Sequence, residues 1–248
     1  MSNIKQNSPI LIFGATGAIG KETAFLLKKN KMNIILASSK KNKNILELSK
    51  QLSSPYICFD LSKEININVL RNKIKKITNN LSGIIITIAK PFPKKLIHNT
   101  NVSVLKEQLN LHIVSLHEII NVCLPFLENS KKSISRIIYI STEYLLSNPP
   151  IKIAPYLAAK SAATTYMKVL SNEVLKKNIK VFILSPGMIR SRLTIDLPEK
   201  YLIELEKSLP NNRLTEVNEI SKTIIGIFKG YLDASYGSEI QVSAAERR

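Results

Sequence analysis

Pro9-Ile10-Leu11-Ile12-Phe13 runs directly into Gly14-Ala15-Thr16-Gly17-Ala18-Ile19-Gly20, and Lys21-Glu22-Thr23-Ala24-Phe25-Leu26-Leu27-Lys28-Lys29 follows. The first segment has the length and composition of a buried strand, while the last repeats its apolar residues at helical spacing. Three glycines gain meaning in this strand, turn, helix context. They permit a tight turn, close approach of backbone to a diphosphate, and close packing of the helix on the strand. Gly14, Thr16, Gly17, Ala18, Ile19 and Gly20 therefore read as a dinucleotide cradle, with the diphosphate at the positive end of the helix.

Outward from that stretch the chain keeps alternating. Strands are expected near 9–13, 33–37, 56–59, 83–88, 134–140, 179–184 and 239–242. Helices lie between them, including a long one near 102–128, one starting near 155 and one near 216–229. This order predicts an α/β fold: a Rossmann-type doubly wound parallel sheet of about seven strands with helices on both faces. Ligands of such sheets bind beyond the carboxyl ends of the strands. The glycine turn, Asp60, Ala89, Ser141-Thr142 and Pro186-Gly187 all fall there.

The chain has 248 residues, enough for one domain over 1–248 with a large core, and no linker-like run divides it. Apolar runs such as Ile84-Ile85-Ile86 have strand length and are too short for a bilayer. The run before Gly14 is too short for a secretory signal, so a cytoplasmic location is expected. Cys58 and Cys123 fit buried thiols better than a disulfide. His98, His112 and His117 have no neighbours at metal-ligand spacing and are expected on the surface or on helix faces; no metal is expected.

The net charge is +18, yet lysine outnumbers arginine 29 to 7. Arginine forks suit phosphate and base recognition better, and no basic motif interleaved with aromatics is present. A solvated basic surface is the expectation, with neither nucleic acid nor membrane as a partner.

Tyr156 and Lys160 in Pro155-Tyr156-Leu157-Ala158-Ala159-Lys160 are four residues apart and share one helix face. A free phenol has a pKa of about 10, too high for proton transfer at neutral pH. A fixed ammonium beside it is expected to lower that value. The same lysine can hold the ribose of a dinucleotide.

Taken in order, these residues resemble the short-chain dehydrogenase/reductase family in its single-domain form. The resemblance covers nearly the whole chain. It includes Gln108-Leu109-Asn110-Leu111-His112 with Leu124-Pro125-Phe126, Arg136-Ile137-Ile138-Tyr139-Ile140-Ser141-Thr142, and Ser185-Pro186-Gly187-Met188-Ile189-Arg190-Ser191. The tail, with Arg213-Leu214, Glu219-Ile220 and Gly237-Ser238-Glu239-Ile240-Gln241-Val242, is similar to that of the family's 3-oxoacyl-acyl-carrier-protein reductases.

The resemblance implies that Tyr156 is the proton donor, that Lys160 tunes it and binds ribose, and that Asn110 anchors a relay water. A strand-end hydroxyl completes the set. Side chains alternate along a strand, so only one of Ser141 and Thr142 can serve; Thr142 is favoured by its parity with Ile140 and its spacing to Tyr156. Pro186, Gly187, Ile189 and Ser191 would hold the nicotinamide side. Asp60 and Leu61 would lie against the adenine, and Ala89 along the cofactor. Ser39 and Lys40 end the second strand without an acidic residue, and hydroxyl plus ammonium suits a 2′-phosphate. NADP(H) is thus expected over NAD(H).

Three departures from the family pattern stand out. The glycines follow Gly-x-x-Gly-x-x-Gly, Thr87-Ile88-Ala89-Lys90 replaces the usual Asn-Asn-Ala-Gly, and Ser243-Ala244-Ala245-Glu246-Arg247-Arg248 replaces a Gly-Gly tail. The expected activity is NADPH-dependent reduction of a 3-oxoacyl thioester on an acyl carrier protein, or of a related ketone. The alternative is a cofactor-binding member with weak or no catalysis. Lys131, Lys132, Arg136, Lys176, Lys177, Arg190 and Arg192 would steer an acidic carrier protein, residues 188–212 would form a substrate lid, and a homodimer or homotetramer is expected.

Overall fold

The computed structural model describes residues 8–61, 66–129, 133–146 and 148–243. Ile10–Phe13 (β1), Ile34–Ser38 (β2), Tyr56–Cys58 (β3), Gly83–Ile86 (β4), Ser135–Ile140 (β5), Ile179–Pro186 (β6) and Glu239–Val242 (β7) form one sheet. Its order is β3-β2-β1-β4-β5-β6-β7, and every pairing is parallel. The inner strands are apolar and β-branched because both faces are covered, as a parallel sheet requires. The chain order reverses between β1 and β4, which opens a crevice at their carboxyl ends.

Helices are Ala18–Lys29 (α1), Lys43–Leu52 (α2), Ile67–Lys75 (α3), Val102–Leu109 (α4), Ser115–Glu128 (α5), Ala154–Val174 (α6), Glu199–Ser208 (α7) and Val217–Phe228 (α8). Strand alternation divides the core. Leu11, Phe13, Ile35, Ile84 and Ile137 face α3, α5 and α6, whereas Ile10, Ile12, Leu36, Ile85 and Ile138 face α1, α2 and α8. On the second face α1 and α8 are joined by a buried hydrogen bond between the hydroxyls of Thr23 and Ser221, 3.0 Å.

Several expectations change here. The long helix is interrupted: Asn110–Val114 forms a π-helical turn between α4 and α5. Its full span, Val102–Glu128, is long and apolar enough to cross a membrane, although no single apolar run in it is. Half of that window is buried within the fold, where Leu116, Ile119, Ile120, Cys123 and Leu127 cover the sheet. The segment expected as a lid contains α7, which packs Leu202 and Leu205 with Leu209, Leu214 and Met188 into a small core of its own.

Arg136 does not belong to the basic surface. Only 5% exposed, it donates two hydrogen bonds of 2.9 Å from Nη2 to the carboxylate of Asp233. Lys177 is paired with Glu128, and Arg190 with Glu199 and Glu206. Lys131, Lys132 and the tail from Ala244 lie outside the described residues. Both cysteines are free, Cys58 half-buried and Cys123 fully inside.

Candidate active site

The glycine turn shows why the sequence folds as it does at the crevice. Gly14 has φ +82°, a left-handed conformation that glycine adopts without strain. Ala37 in β2 accepts hydrogen bonds from the backbone of Gly14 and Ala15. The turn is also held from β4. Thr87, which stands where the family has asparagine, donates its hydroxyl toward the carbonyls of Phe13 (2.9 Å) and Gly14 (3.2 Å). The departure at this position therefore keeps the tie between central strand and turn.

A consequence follows for stability. Thr87→Val keeps the shape and removes those bonds, while the two carbonyls keep the backbone N–H donors of Thr87 and Gly17. It should cost about 0.5–1.5 kcal/mol in urea unfolding and weaken nucleotide binding; unchanged values for both would refute the tie.

A cleft of about 1090 Å³ lies beyond the strand ends. Gly14, Thr16, Gly17, Ala18, Ile19, Ser39, Lys40, Asp60, Leu61 and Ala89 line one part of it. Thr142, Tyr156, Lys160, Pro186, Gly187, Ile189 and Ser191 line the other. Two expected residues do not reach the cleft. Gly20 is buried under the turn, where a Cβ would meet the Gly14 carbonyl oxygen at 2.3 Å. Asn110 sits at the start of the π turn, and its carbonyl accepts from the N–H of Ser115, whose hydroxyl lies 2.6 Å from the Leu61 carbonyl and 3.0 Å from that of Asn110.

The two strand-end hydroxyls part company. Thr142 lines the cleft beside Tyr156, and its side chain acts to lower the pKa of that phenol. Ser141 bonds Thr164 on α6 at 2.7 Å instead. Tyr156 is buried, with Phe92 stacked on its face (5.6 Å between centroids, 13° between planes) and His112 set edge-on (5.7 Å, 78°). Lys160 donates to the Ile140 carbonyl at 2.7 Å, and its ammonium lies 4.7 Å from the centre of the Tyr139 ring and 5.8 Å from that of Tyr156.

Burial governs the protonation of this pair. It pushes the Tyr156 phenol well above its ordinary range, and the neighbouring Thr142 side chain offsets only part of the rise. The expected lowering by Lys160 is not what the structure gives: the ammonium is itself desolvated, its pKa lowered to about 7. A phenol that stays protonated suits a proton donor.

Of the two placements expected for the histidines, His112 takes the helical one: it is a buried residue of the π turn, 3% exposed, and burial with the nearby Lys160 charge holds its pKa well below the usual value. His117 does lie on an exposed helix face, bonded to Tyr166 and Asn121, and His98 is exposed. Phe92 was not legible as a site residue, nor was the ion pair between Lys94 and Asp196, which joins the loop after β4 to the segment before α7. Their only signal was position, since both loops follow strand ends that border the crevice.

The residues present fit a nicotinamide dinucleotide. The turn brings backbone close at its glycines, Gly17 precedes α1 with no side-chain cap, and Ser39 and Lys40 stand exposed in the cleft lining.

Comparison with known proteins agrees. A family profile described as "Enoyl-(Acyl carrier protein) reductase" matches residues 14–244. A 3-oxoacyl-[acyl-carrier-protein] reductase of Buchnera aphidicola subsp. Schizaphis graminum is 28% identical over 242 residues, 94% of each chain. Carbonyl reductase family member 4 of Xenopus laevis is 26% identical over 219 residues, 86% of this chain and 88% of that one. Among solved structures, the Pseudomonas aeruginosa RhlG/NADP active-site complex superposes with a TM-score of 0.89 at 20% identity, covering 98% of this chain and 97% of that one. The first of these matches spans nearly the whole length from glycine turn to β7, and by it the chain belongs to the short-chain dehydrogenase/reductase family of NAD(P)-dependent oxidoreductases.

Proposed function

We propose that this oxidoreductase reduces a ketone with NADPH, and that its substrate is a 3-oxoacyl thioester carried by an acyl carrier protein. The observation that carries the reading is the buried pair of Tyr156 and Lys160, with the ammonium 5.8 Å from the phenol ring centre, in the cleft that the glycine turn and Thr142 also line. When bound, the reduced nicotinamide supplies the hydride. Tyr156 gives its proton to the carbonyl oxygen, while Thr142 holds that oxygen against the phenol. Lys160 steadies the phenol and reaches the ribose. Asn110 shapes the backbone beneath through the π turn.

An acyl chain is supported by the apolar lining from Phe92, Ile151, Met188, Leu193, Leu197 and Tyr201. The segment 188–212 supplies four of these and would act as the lid. Lys152 and Arg192, exposed and lining the same cleft, favour an acidic carrier. Val102 and Val114 on the long helical span and Val169 on α6 are more than half or about half exposed, which fits pairing with further copies into a homodimer or homotetramer. A cytoplasmic setting accords with such a substrate. Thr87 retains bonds from the replaced motif to the glycine turn, which supports the catalytic reading over the alternative of a cofactor-binding member with weak or no catalysis.

A panel of carbonyl compounds assayed with NADPH and NADH side by side tests the reading. The 3-oxoacyl group on a carrier protein should be reduced with a lower KM than the same chain on a small thioester. Equal KM values would reject the carrier, and no turnover of any 3-oxoacyl compound would reject the substrate class. For the cofactor, Ser39→Asp should lower kcat/KM with NADPH by about tenfold or more, by repelling the 2′-phosphate, and spare NADH. A parallel loss with both cofactors would place Ser39 away from the phosphate.

A further inference from the structure

Beside Tyr156 and Lys160 lies a second, small pocket of about 10 Å³, walled by Ile86, Ile88, Leu111, Leu116 and Ile119 together with His112 and Tyr139. Two polar atoms at this cavity, Nε2 of His112 and the hydroxyl of Tyr139, are buried and have no hydrogen-bond partner in the protein. Apolar walls alone would leave such a space dry. A volume near that of one water probe, bordered by two unsatisfied polar groups, is the setting in which a single buried water is held.

The same two side chains support the proton-transfer pair from below. The His112 ring stands edge-on to Tyr156, and the Tyr139 ring lies under the Lys160 ammonium. We infer that one buried water bridges His112 Nε2 and the Tyr139 hydroxyl, and that this bridge fixes the position of Tyr156 relative to Lys160.

The protonation states are compatible. Desolvation and the Lys160 charge keep His112 neutral, so the ring retains an acceptor or N–H donor matched to water. Burial keeps the Tyr139 hydroxyl protonated and able to donate. His112 and Tyr139 touch neither the reacting carbonyl nor the cofactor in this scheme; they are positioning residues. The inference rests on the reading of Tyr156 and Lys160 as the proton-transfer pair, and the test keeps the two apart.

A high-resolution crystal structure of the holoenzyme should show one water within hydrogen-bond distance of both atoms. An empty cavity, or a direct bond from His112 to Tyr139, would overturn the bridge whatever the enzyme's substrate. In Tyr139→Phe, which removes a single oxygen, the water should be lost and kcat should fall about tenfold, the scale expected for a displaced proton donor. KM and the affinity for NADPH should stay unchanged. His112→Gln, which keeps a polar group, should retain more activity than His112→Leu, and the His112→Leu/Tyr139→Phe pair should be no slower than the slower single variant. Wild-type kcat in Tyr139→Phe removes the positioning role. Wild-type kcat in Tyr156→Phe would instead sink the reading of the site itself.

Discussion

Tyr156→Phe should reduce carbonyl turnover by about 10²- to 10⁴-fold, the range associated with loss of a positioned general acid, with nucleotide affinity retained. The substitution is nearly isosteric. Phenylalanine keeps the stack on Phe92 and the edge contact with His112, so the lost atom is the hydroxyl beside Thr142. Steady-state reduction assays beside a nucleotide-binding titration make the check. A loss smaller than about tenfold would assign the proton to another donor.

The raised pKa of the phenol also fixes a sign. Reduction needs Tyr156 protonated, which burial ensures at neutral pH; alcohol oxidation needs it deprotonated. Oxidation should therefore go on rising as pH climbs above neutrality, while reduction should not.

Gly20→Ala should be the most damaging single methyl in the chain. The added Cβ would stand 2.3 Å from the Gly14 carbonyl oxygen and 2.9 Å from the Ala15 Cα, both backbone atoms of the turn itself. No flexible side chain can yield there. The helix must move off the strand or the turn must open, at a cost of about 3 kcal/mol or more, the upper part of the overpacking range. Nucleotide affinity should fall with it, because the start of α1 would leave its place against the diphosphate. Unfolding midpoint and dissociation constant measured on one preparation decide the matter, and wild-type values for both would remove the close-packing role from Gly20.

Much of this was readable from residues alone. All seven strands lie within two residues of expectation at each end, because buried parallel strands are marked by apolar runs and bounded by turn formers. β4 ends at Ile86 rather than near residue 88; Thr87 still donates its backbone N–H to Phe13, and its hydroxyl turns to the glycine turn. The cleft lining was legible because topology sends strand ends to one edge. The π turn was not, for it depends on Ser115 capturing the Asn110 carbonyl. Nor was the burial of His112, which follows from the π turn. The direction of the Tyr156 pKa was missed for a physical reason: i, i+4 spacing fixes proximity to Lys160, whereas desolvation is a property of everything packed around the pair.

The pair Ser141-Thr142 has a wider meaning. One hydroxyl welds β5 to α6 through Thr164, and its neighbour lies beside the phenol that α6 carries. Because consecutive strand residues point to opposite faces, a slip of one residue along β5 would exchange these neighbours' surroundings. The tenancy of each hydroxyl is thus set by the ladder, where Ser135 to Ile140 face Ile179 to Leu184 one for one. Counting of residues along an interior strand, done by the sheet itself, becomes the instrument that aims the chemistry.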